Sequence, residues 1–163
     1  ISNFKYKDQM SIKNFDGSFL VQNKNNKVIK KRDLKCVTKL KPNKKELTEI
    51  EFAFNISKYI KSNAIVLCNN FSTIGIGGGQ PSRVDSYKIA IQKARKFQPK
   101  KISNAIAASD AFFPFKDGLE LLVKAGVKTV IQPGGSIKDK EIINYANKVK
   151  IKMLFTGVRH FYH

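Results

Sequence analysis

A compact apolar run at residues 63–68, Asn-Ala-Ile-Val-Leu-Cys, constrains the fold of this chain more than any other feature. Uncharged runs of this kind are typical of strands that are buried on both faces of a sheet. Residues 69–72 have turn chemistry, and residues 73–76 are predicted to return as the hairpin partner of this strand. A sheet that is buried on both faces needs a layer of structure on each side.

Helical patterns alternate with further short apolar runs. Apolar residues at near-helical spacing predict a first helix that opens at Pro42-Asn43, with Asn43 as its N-cap. A second helix is predicted from Ser82 to about Phe97, and a third from Asp117 to Gly126, which suits the position after a helix end. A fourth is predicted to about Lys148, with Ser136 and Asp139 resembling a capping box.

The remaining strands are predicted at residues 17–22, 35–38, 106–108, 127–131 and 151–155. Residues 1–16 are polar without a clean period, and we take them as a lead-in with no predicted element. Strand–helix repeats after a first helix and a hairpin predict an α/β sandwich around a mixed sheet.

Length and composition agree with one domain. A chain of 163 residues with 42% hydrophobic residues can bury a core. No run approaches the roughly 18 apolar residues of a membrane span, and the start lacks the layout of a signal peptide. Cys36 and Cys68 are neither adjacent nor spaced as a metal pair, which predicts reduced thiols and a cytoplasmic location.

The formal charge of +19 raises the alternative of a basic nucleic-acid-binding module. Only four of the basic residues are arginines, however, and the lysines are scattered along the whole chain. We therefore interpret most of this charge as solvated surface, with some steering of anionic ligands. A nucleic-acid module would instead show a basic stripe with exposed aromatic rings, and a steep dependence of binding on salt.

Two segments could carry chemistry. In residues 75–83, a glycine run precedes a helix that starts near Arg83, an arrangement suited to anions; the alternative is a tight turn without a ligand. Residues 109–118 combine three phenylalanines with Asp110 and Asp117, which could stack a flat ring and bind its edge. The alternative there is that Asp117 caps the next helix while the phenylalanines fill the core.

Two further segments give weaker signals. Residues 132–137 form a second glycine loop before a helix, which a cap alone explains. The basic, aromatic ending at residues 159–163 could close over a phosphate, although terminal histidines are usually exposed. The chain has neither the zinc-deaminase signature nor a Gly-x-Ser-x-Gly elbow.

Taken together, these motifs resemble one family. They are Lys61–Val66, Ile74–Gln80 with Ser82-Arg83, Ser109–Asp117, Val130–Ile137, and Leu154–Thr156 with Arg159–Phe161. The resemblance is to the bifunctional purine biosynthesis family, AICAR transformylase joined to IMP cyclohydrolase. It covers residues 17–163, which are similar to the C-terminal half of the transformylase domain. It implies a cytidine-deaminase-like three-layer sandwich without zinc, and a homodimer in the full-length enzyme.

The resemblance also implies an activity and a set of site residues. A formyl group moves from 10-formyltetrahydrofolate to the amine of AICAR, giving FAICAR, which the cyclohydrolase closes to IMP. The AICAR side is implied to include Asn63, Phe112 and Arg159, and the folate side Arg83, Val84, Asp117, Ser136 and Ile137. His163 matches a terminal histidine near the substrate, where it and Asn63 would support catalysis, and Ser62 and Asp110 match positions around a structural potassium ion.

One departure from the family affects activity. The Lys-His pair that provides its acid–base chemistry belongs to the first half of the transformylase domain, and this sequence contains neither that half nor the cyclohydrolase. We therefore expect the isolated chain to fold imperfectly, expose an apolar face and turn over little. It would be a fragment of a longer product or the remnant of a gene. The alternative reading is a folate- or nucleotide-binding remnant without catalysis.

Overall fold

The computed structural model describes residues 10–162. Its strands are β1 (Met10–Phe15), β2 (Ser18–Asn23), β3 (Lys35–Cys36), β4 (Ile65–Asn69), β5 (Ser72–Gly77), β6 (Ile106–Ser109), β7 (Thr129–Gln132) and β8 (Lys152–Phe155). Its α-helices are α1 (Lys44–Ser57), α2 (Arg83–Phe97), α3 (Asp117–Ala125) and α4 (Asp139–Lys148). The predicted helices and strands from residue 17 onward are therefore confirmed, with shifts of a few residues at their ends.

Six of the strands form a mixed sheet in the order β3-β8-β7-β6-β4-β5. Strands β6, β7 and β8 run parallel, whereas β3, β4 and β5 each pair antiparallel with a neighbour. The hairpin of β4 and β5 is the one predicted from the apolar run and its turn. The sequence prediction of an α/β fold around a mixed sheet is thus confirmed.

The sheet has helices on both faces because its strands are apolar on both. Along β4, Ile65 and Leu67 pack into the core on the side of α2, α3 and α4. Val66 and Cys68 alternate with them and pack on the opposite side, against α1. The result is a three-layer arrangement of helix, sheet and helices. The specific likeness to cytidine deaminases stays a prediction.

Helix ends follow local chemistry in most cases. Asn43 accepts from the amide of Glu46 at 2.9 Å, while the Glu46 carboxylate accepts from the amide of Asn43, so the predicted N-cap is confirmed as a capping box. Gly126 ends α3 with φ +104°, a conformation that favours glycine. The capping box predicted for Ser136 and Asp139 is wrong in detail. Their side chains accept from the amides of Lys138 and Gly135 instead, because a turn precedes the helix.

Strand β1 lies where the sequence predicted no element. It pairs with β2 across a turn at Asp16-Gly17, whose φ angles of +39° and +75° are those of a two-residue hairpin turn. The dipeptide Asp-Gly is a strong hairpin signal, and it lies at the boundary that we placed after residue 16. One face of this hairpin is apolar and exposed: Met10, Ile12, Phe19 and Val21.

Three chemical features of the described residues bear on the protein class. No helix there is long and apolar enough to cross a membrane. Cys36 and Cys68 are free thiols, as predicted, and burial raises the pKa of Cys68 to about 12. Within residues 10–162, no three His, Cys, Asp or Glu side chains are grouped as a metal site would require.

Candidate functional site

Five chain segments meet at one edge of the sheet. Strands β6, β7 and β8 end there at Ser109, Gln132 and Phe155. Because β4 is antiparallel to β6, its first residues lie at the same edge, as do the last residues of β5. The crevice beyond the carboxyl ends of parallel strands is the usual ligand site of open α/β sheets. The predicted site residues that the structure describes all lie in these loops or at the adjoining helix starts.

A buried polar cluster forms the inner part of this edge. Asp110 is fully buried, and its carboxylate accepts from Arg83 Nη1 at 2.5 Å and from Ser62 Oγ at 2.6 Å. Arg83 Nη1 also donates to Ser109 Oγ at 3.1 Å, and Nη2 donates to Asn63 Oδ1 at 2.7 Å. The side chain of Arg83 is only 11% exposed. The cluster therefore neutralises its own charge and joins α2, β4 and β6.

Several polar groups of the glycine loop before α2 are already hydrogen-bonded within the protein. The amide of Gly79 donates to the Lys61 carbonyl at 2.7 Å, and the amide of Asn63 donates to the Gln80 carbonyl at 3.2 Å. The Gln80 side chain donates to the Gly78 carbonyl. These bonds, and the inward direction of Arg83, favour the tight-turn alternative over an anion site at this loop.

Ser62 and Asp110 do not fit a potassium ion between them. Both carboxylate oxygens of Asp110 already accept hydrogen bonds, and one faces the guanidinium of Arg83. A cation beside that carboxylate would meet the positive charge of Arg83.

An open cleft of about 440 Å³ forms the outer part of the edge. Its lining residues come from the loops after β6, β7 and β8: Phe112, Pro114, Phe115, Gly135, Ser136, Ile137, Lys138 and Arg159. The guanidinium of Arg159 lies 4.5 Å from the centre of the Phe112 ring, a cation–π contact. Among residues 10–162, no carboxylate lies within 4 Å of this guanidinium. Arg159 is therefore exposed and open to an anionic ligand.

Gln132 and Ser109 lie within the predicted segments but were not predicted as ligands, and both hold the loop beneath this cleft. Gln132 is fully buried, and its side-chain oxygen accepts from the amide of Phe113 at 2.7 Å. Ser109 Oγ donates to the Ala111 carbonyl at 2.7 Å. Phe113 is core, as the alternative reading expected, whereas Phe112 is half-buried and Phe115 is exposed. The role of Gln132 could have been suspected from the sequence, because a polar residue at the carboxyl end of an apolar parallel strand lies at the usual ligand edge of the sheet.

Asp117 and Val84 lie in the first turns of α3 and α2, and neither is among the residues that line the cleft. Asp117 is the first residue of α3 and is exposed; its carboxylate accepts from the amide of Gly118 at 2.8 Å. Val84 is half-buried in the first turn of α2. The alternative that Asp117 caps the helix is wrong in detail, because Lys116 occupies the N-cap position and Asp117 bonds the amide of the next residue. Its second carboxylate oxygen makes no hydrogen bond among the described residues.

The C-terminal tail is tied to the buried cluster. The amide of Ser62 donates to the Tyr162 carbonyl at 2.8 Å, and the amide of His160 donates to the Asp110 carbonyl at 2.9 Å. The expectation of exposed terminal histidines is wrong for His160, which is fully buried beside Phe54. Burial, with smaller effects of Lys58 and Lys27 against Asp110, lowers its pKa to about 4. His163 lies outside the described residues.

One comparison with known proteins identifies the family. The family model described as AICARFT/IMPCHase bienzyme matches residues 1–93, more than half of the chain. The match includes Ser62, Asn63, Arg83 and Val84, while the cleft loops that follow lie beyond it. Those later loops meet the matched residues at a single edge of the sheet, through the bonds between Arg83 and Asp110 and between Ser62 and the tail. This chain belongs to the AICARFT/IMPCHase bienzyme family of purine biosynthesis.

Proposed function

We propose that this chain supplies one part of a formyltransferase site, at which 10-formyltetrahydrofolate donates a formyl group to the amine of AICAR. The product, FAICAR, is the compound that the cyclohydrolase activity of the family closes to IMP. The observation that carries the proposal is the position of Arg159. Its guanidinium has no acidic partner among the described residues and is stacked on Phe112 at the mouth of the cleft.

The phosphate of AICAR is the ligand group proposed for Arg159. A guanidinium offers two parallel donors to a phosphate, and such charge-assisted bonds are stronger than neutral ones. The Phe112 ring beneath the guanidinium limits its freedom, so less conformational entropy is lost when the phosphate binds. The large positive charge of the chain would also attract this anion.

Asn63 is proposed to face the carboxamide of AICAR, and its contacts modify the role of Arg83. In the structure the side chain of Asn63 accepts from Arg83 and donates to the carbonyls of Gln80 and Pro81. A ligand would exchange with these bonds. Since Arg83 directly contacts Asn63, we place Arg83 on the AICAR side of the site, although the family resemblance alone put it on the folate side.

The folate is proposed to occupy the outer wall of the cleft. Ser136 and Ile137 line this wall, and Ile137 is fully exposed, so its side chain is available for an apolar contact with a flat ring. Asp117, in the first turn of α3, could accept two hydrogen bonds from the amidine-like edge of a pterin. Val84 would pack next to it at the start of α2.

The reaction needs orientation and proton transfer. The amine nitrogen attacks the formyl carbon, the bond from that carbon to N10 of the folate breaks, and N10 gains a proton as the amine loses one. The residues described here would bind and align the two reactants, which can supply a large share of a rate enhancement. We assign proton movement to none of them, because the 163 residues contain no adjacent Lys-His pair.

Calorimetric titration with AICAR tests the proposal. Arg159→Gln should lower the affinity for the nucleotide by roughly 10- to 100-fold, which is the effect expected from loss of one charge-assisted hydrogen bond. The affinity for the dephosphorylated riboside should not change. Arg95→Gln, an exposed change in the last turn of α2, is the matched control and should change neither affinity. Equal affinity of the nucleotide for the wild-type chain and Arg159→Gln would contradict the proposal.

Formyl transfer distinguishes an active chain from a binding remnant. The absence of an adjacent Lys-His pair favours binding of AICAR and a folate analogue without turnover, which would be detected as heat of binding without FAICAR formation. Tight, steeply salt-dependent binding of a single-stranded oligonucleotide, with no binding of AICAR, would support the nucleic-acid alternative. The homodimer and the cytoplasmic location stay predictions.

A further inference from the structure

His160 is anchored by three separate parts of the chain. Its ring centre lies 4.8 Å from that of Phe54 in α1, and its Nδ1 lies 2.8 Å from the side-chain nitrogen of Asn25, in the segment after β2. Its backbone amide donates to the carbonyl of Asp110, in the loop after β6. The ring is tilted by 39° against that of Phe54, and this packing together with the contact with Asn25 defines the orientation of the side chain.

The residue before His160 points the opposite way. Arg159 is exposed, and its guanidinium lies 4.5 Å from the ring centre of Phe112 and 6.0 Å from that of Phe161. Adjacent α-carbons are only about 3.8 Å apart, so a fixed backbone at residue 160 limits where Arg159 can reach. Residues 156–162 lie in no helix or strand. Their backbone is held by the bonds of Gly157 to Pro133 and of Ser62 to Tyr162, and the side chain of His160 adds a restraint next to Arg159.

A histidine is a costly choice for a mere packing role at this position. The ring is fully buried, and its Nε2 has no hydrogen-bond partner among the described residues. A buried polar atom without a partner is destabilising, and an apolar ring could cover Phe54 without that cost. What histidine adds is the bond to Asn25, which a phenylalanine cannot make. The hydrogen bond therefore points to orientation of the tail and not only to packing.

We propose that His160 is a positioning residue, which fixes the tail against Asn25 and Phe54 so that the Arg159 guanidinium is held over Phe112 at the cleft. The inference rests on the proposed function, in which Arg159 binds the phosphate of AICAR. It extends that function because His160 touches neither reactant in this arrangement and acts through its neighbour. Preorganisation of this kind increases affinity by reducing the freedom that a ligand must remove.

Two variants of the full 163-residue chain test the inference. His160→Phe keeps a ring on Phe54 and removes the bond to Asn25, and Asn25→Ala removes the same bond from a half-buried position. Each variant should lower the affinity for AICAR, measured by calorimetry, by about 5- to 20-fold and leave the affinity for the riboside unchanged. This loss is smaller than the one expected for removal of the Arg159 guanidinium. The double variant should bind AICAR no more weakly than His160→Phe alone, because both substitutions remove the same hydrogen bond.

A second readout does not depend on the ligand. The Arg159 Nε–H resonance should be resolved in nitrogen-edited NMR spectra of the wild-type chain and should broaden or disappear in both variants. Circular dichroism and thermal unfolding show whether each variant is folded. Equal weakening of nucleotide and riboside, or an unchanged Arg159 resonance in a folded variant, would overturn the inference. If the wild-type chain binds no AICAR, the proposed function fails, and the resonance still decides the position of Arg159.

Discussion

Arg83 and Arg159 lie at the same edge of the sheet, but their surroundings are opposite. Arg83 is mostly buried, with its side chain 11% exposed, and makes an ion pair with Asp110 and further bonds to Ser109 and Asn63. Arg159 is exposed on an aromatic ring, with no carboxylate in reach in the part of the chain that the structure describes. The first guanidinium is already satisfied, and the second is available to a ligand.

The difference shows what the family resemblance alone does not separate. Both arginines occur in motifs of the family, and each was expected at a ligand. In the structure Arg83 joins the start of α2 to Asn63, just before β4, and to Ser109 and Asp110 at the end of β6. Of the two arginines, Arg159 is the one without an ion-pair partner among residues 10–162. The following predictions test this division, in order of decreasing effect.

The largest effect is expected for Arg83→Met. This variant leaves the carboxylate of Asp110 buried without its counter-charge, which typically costs about 3–5 kcal/mol of stability. Urea unfolding measured at equilibrium should show the loss. Adding Asp110→Leu should restore much of it, since an apolar pair can replace a buried ion pair. An unchanged unfolding midpoint for Arg83→Met would show that the pair does not support the fold.

The next effect concerns the glycines that shape the cleft wall. Gly134 and Gly135 both have positive φ, +74° and +94°, so alanine at either position is strained by about 1–2 kcal/mol. A β-carbon at Gly134 would also collide with the ring of Phe155. A β-carbon at Gly135 would have no described atom within 4 Å. Gly134→Ala should therefore be less stable than Gly135→Ala by roughly a further 1–3 kcal/mol in the same unfolding assay. Equal losses of stability in the two variants would show that the ring of Phe155 moves aside at little cost.

A smaller effect is expected from pH through His160. Its pKa is about 4 in the folded chain and 6.5 when unperturbed, so the unfolded chain binds the extra proton. The stability from this residue is complete above pH 6.5 and is lost as pH falls toward 4, by at most about 3 kcal/mol. Wild type and His160→Phe should be compared across this range, because carboxylates titrate in both. Parallel stability curves for the two proteins would contradict the prediction.

The smallest effect is expected for Arg159→Gln on stability. The side chain is exposed and has no ion-pair partner in the described residues, so its removal should change the free energy of unfolding by less than about 0.5 kcal/mol. Read with the binding experiment above, this variant would lose affinity without losing stability, the reverse of Arg83→Met. A loss comparable to that of Arg83→Met would remove the distinction between the two arginines.

Local features of the fold were predictable from the sequence. Asn43 with Glu46 begins α1, and Gly126 ends α3, because caps depend on residues within one helical turn. The apolar run predicted at residues 63–68 corresponds to strand β4, which is buried on both faces because the successive side chains of residues 65–68 are all apolar. Strand β1 was missed because its stability depends on pairing with β2, and the Asp-Gly turn signal was placed at a boundary.

Contacts between distant residues were not predictable. His160 contacts Asn25, 135 positions away, and Asp110 accepts from Ser62 in the loop before β4 and from Arg83 at the start of α2. No spacing in the chain encodes such pairs. The inward direction of Arg83 and the burial of Phe113 were likewise not predictable, because side-chain direction depends on the neighbouring elements. The ligand roles of Phe112, Asp117, Ser136 and Ile137 stay proposals.

The sequence by itself determined the alternation of strands and helices, the mixed α/β class and the family motifs, because these depend on local periodicity and on residue identity. The tertiary structure alone decided which polar residues neutralise one another and which are exposed at the cleft. Charge pairing depends on distances in space, and those distances are set when the parallel strands bring five loops to one edge of the sheet. That edge is where Arg83 became part of the framework and Arg159 stayed open to an anion.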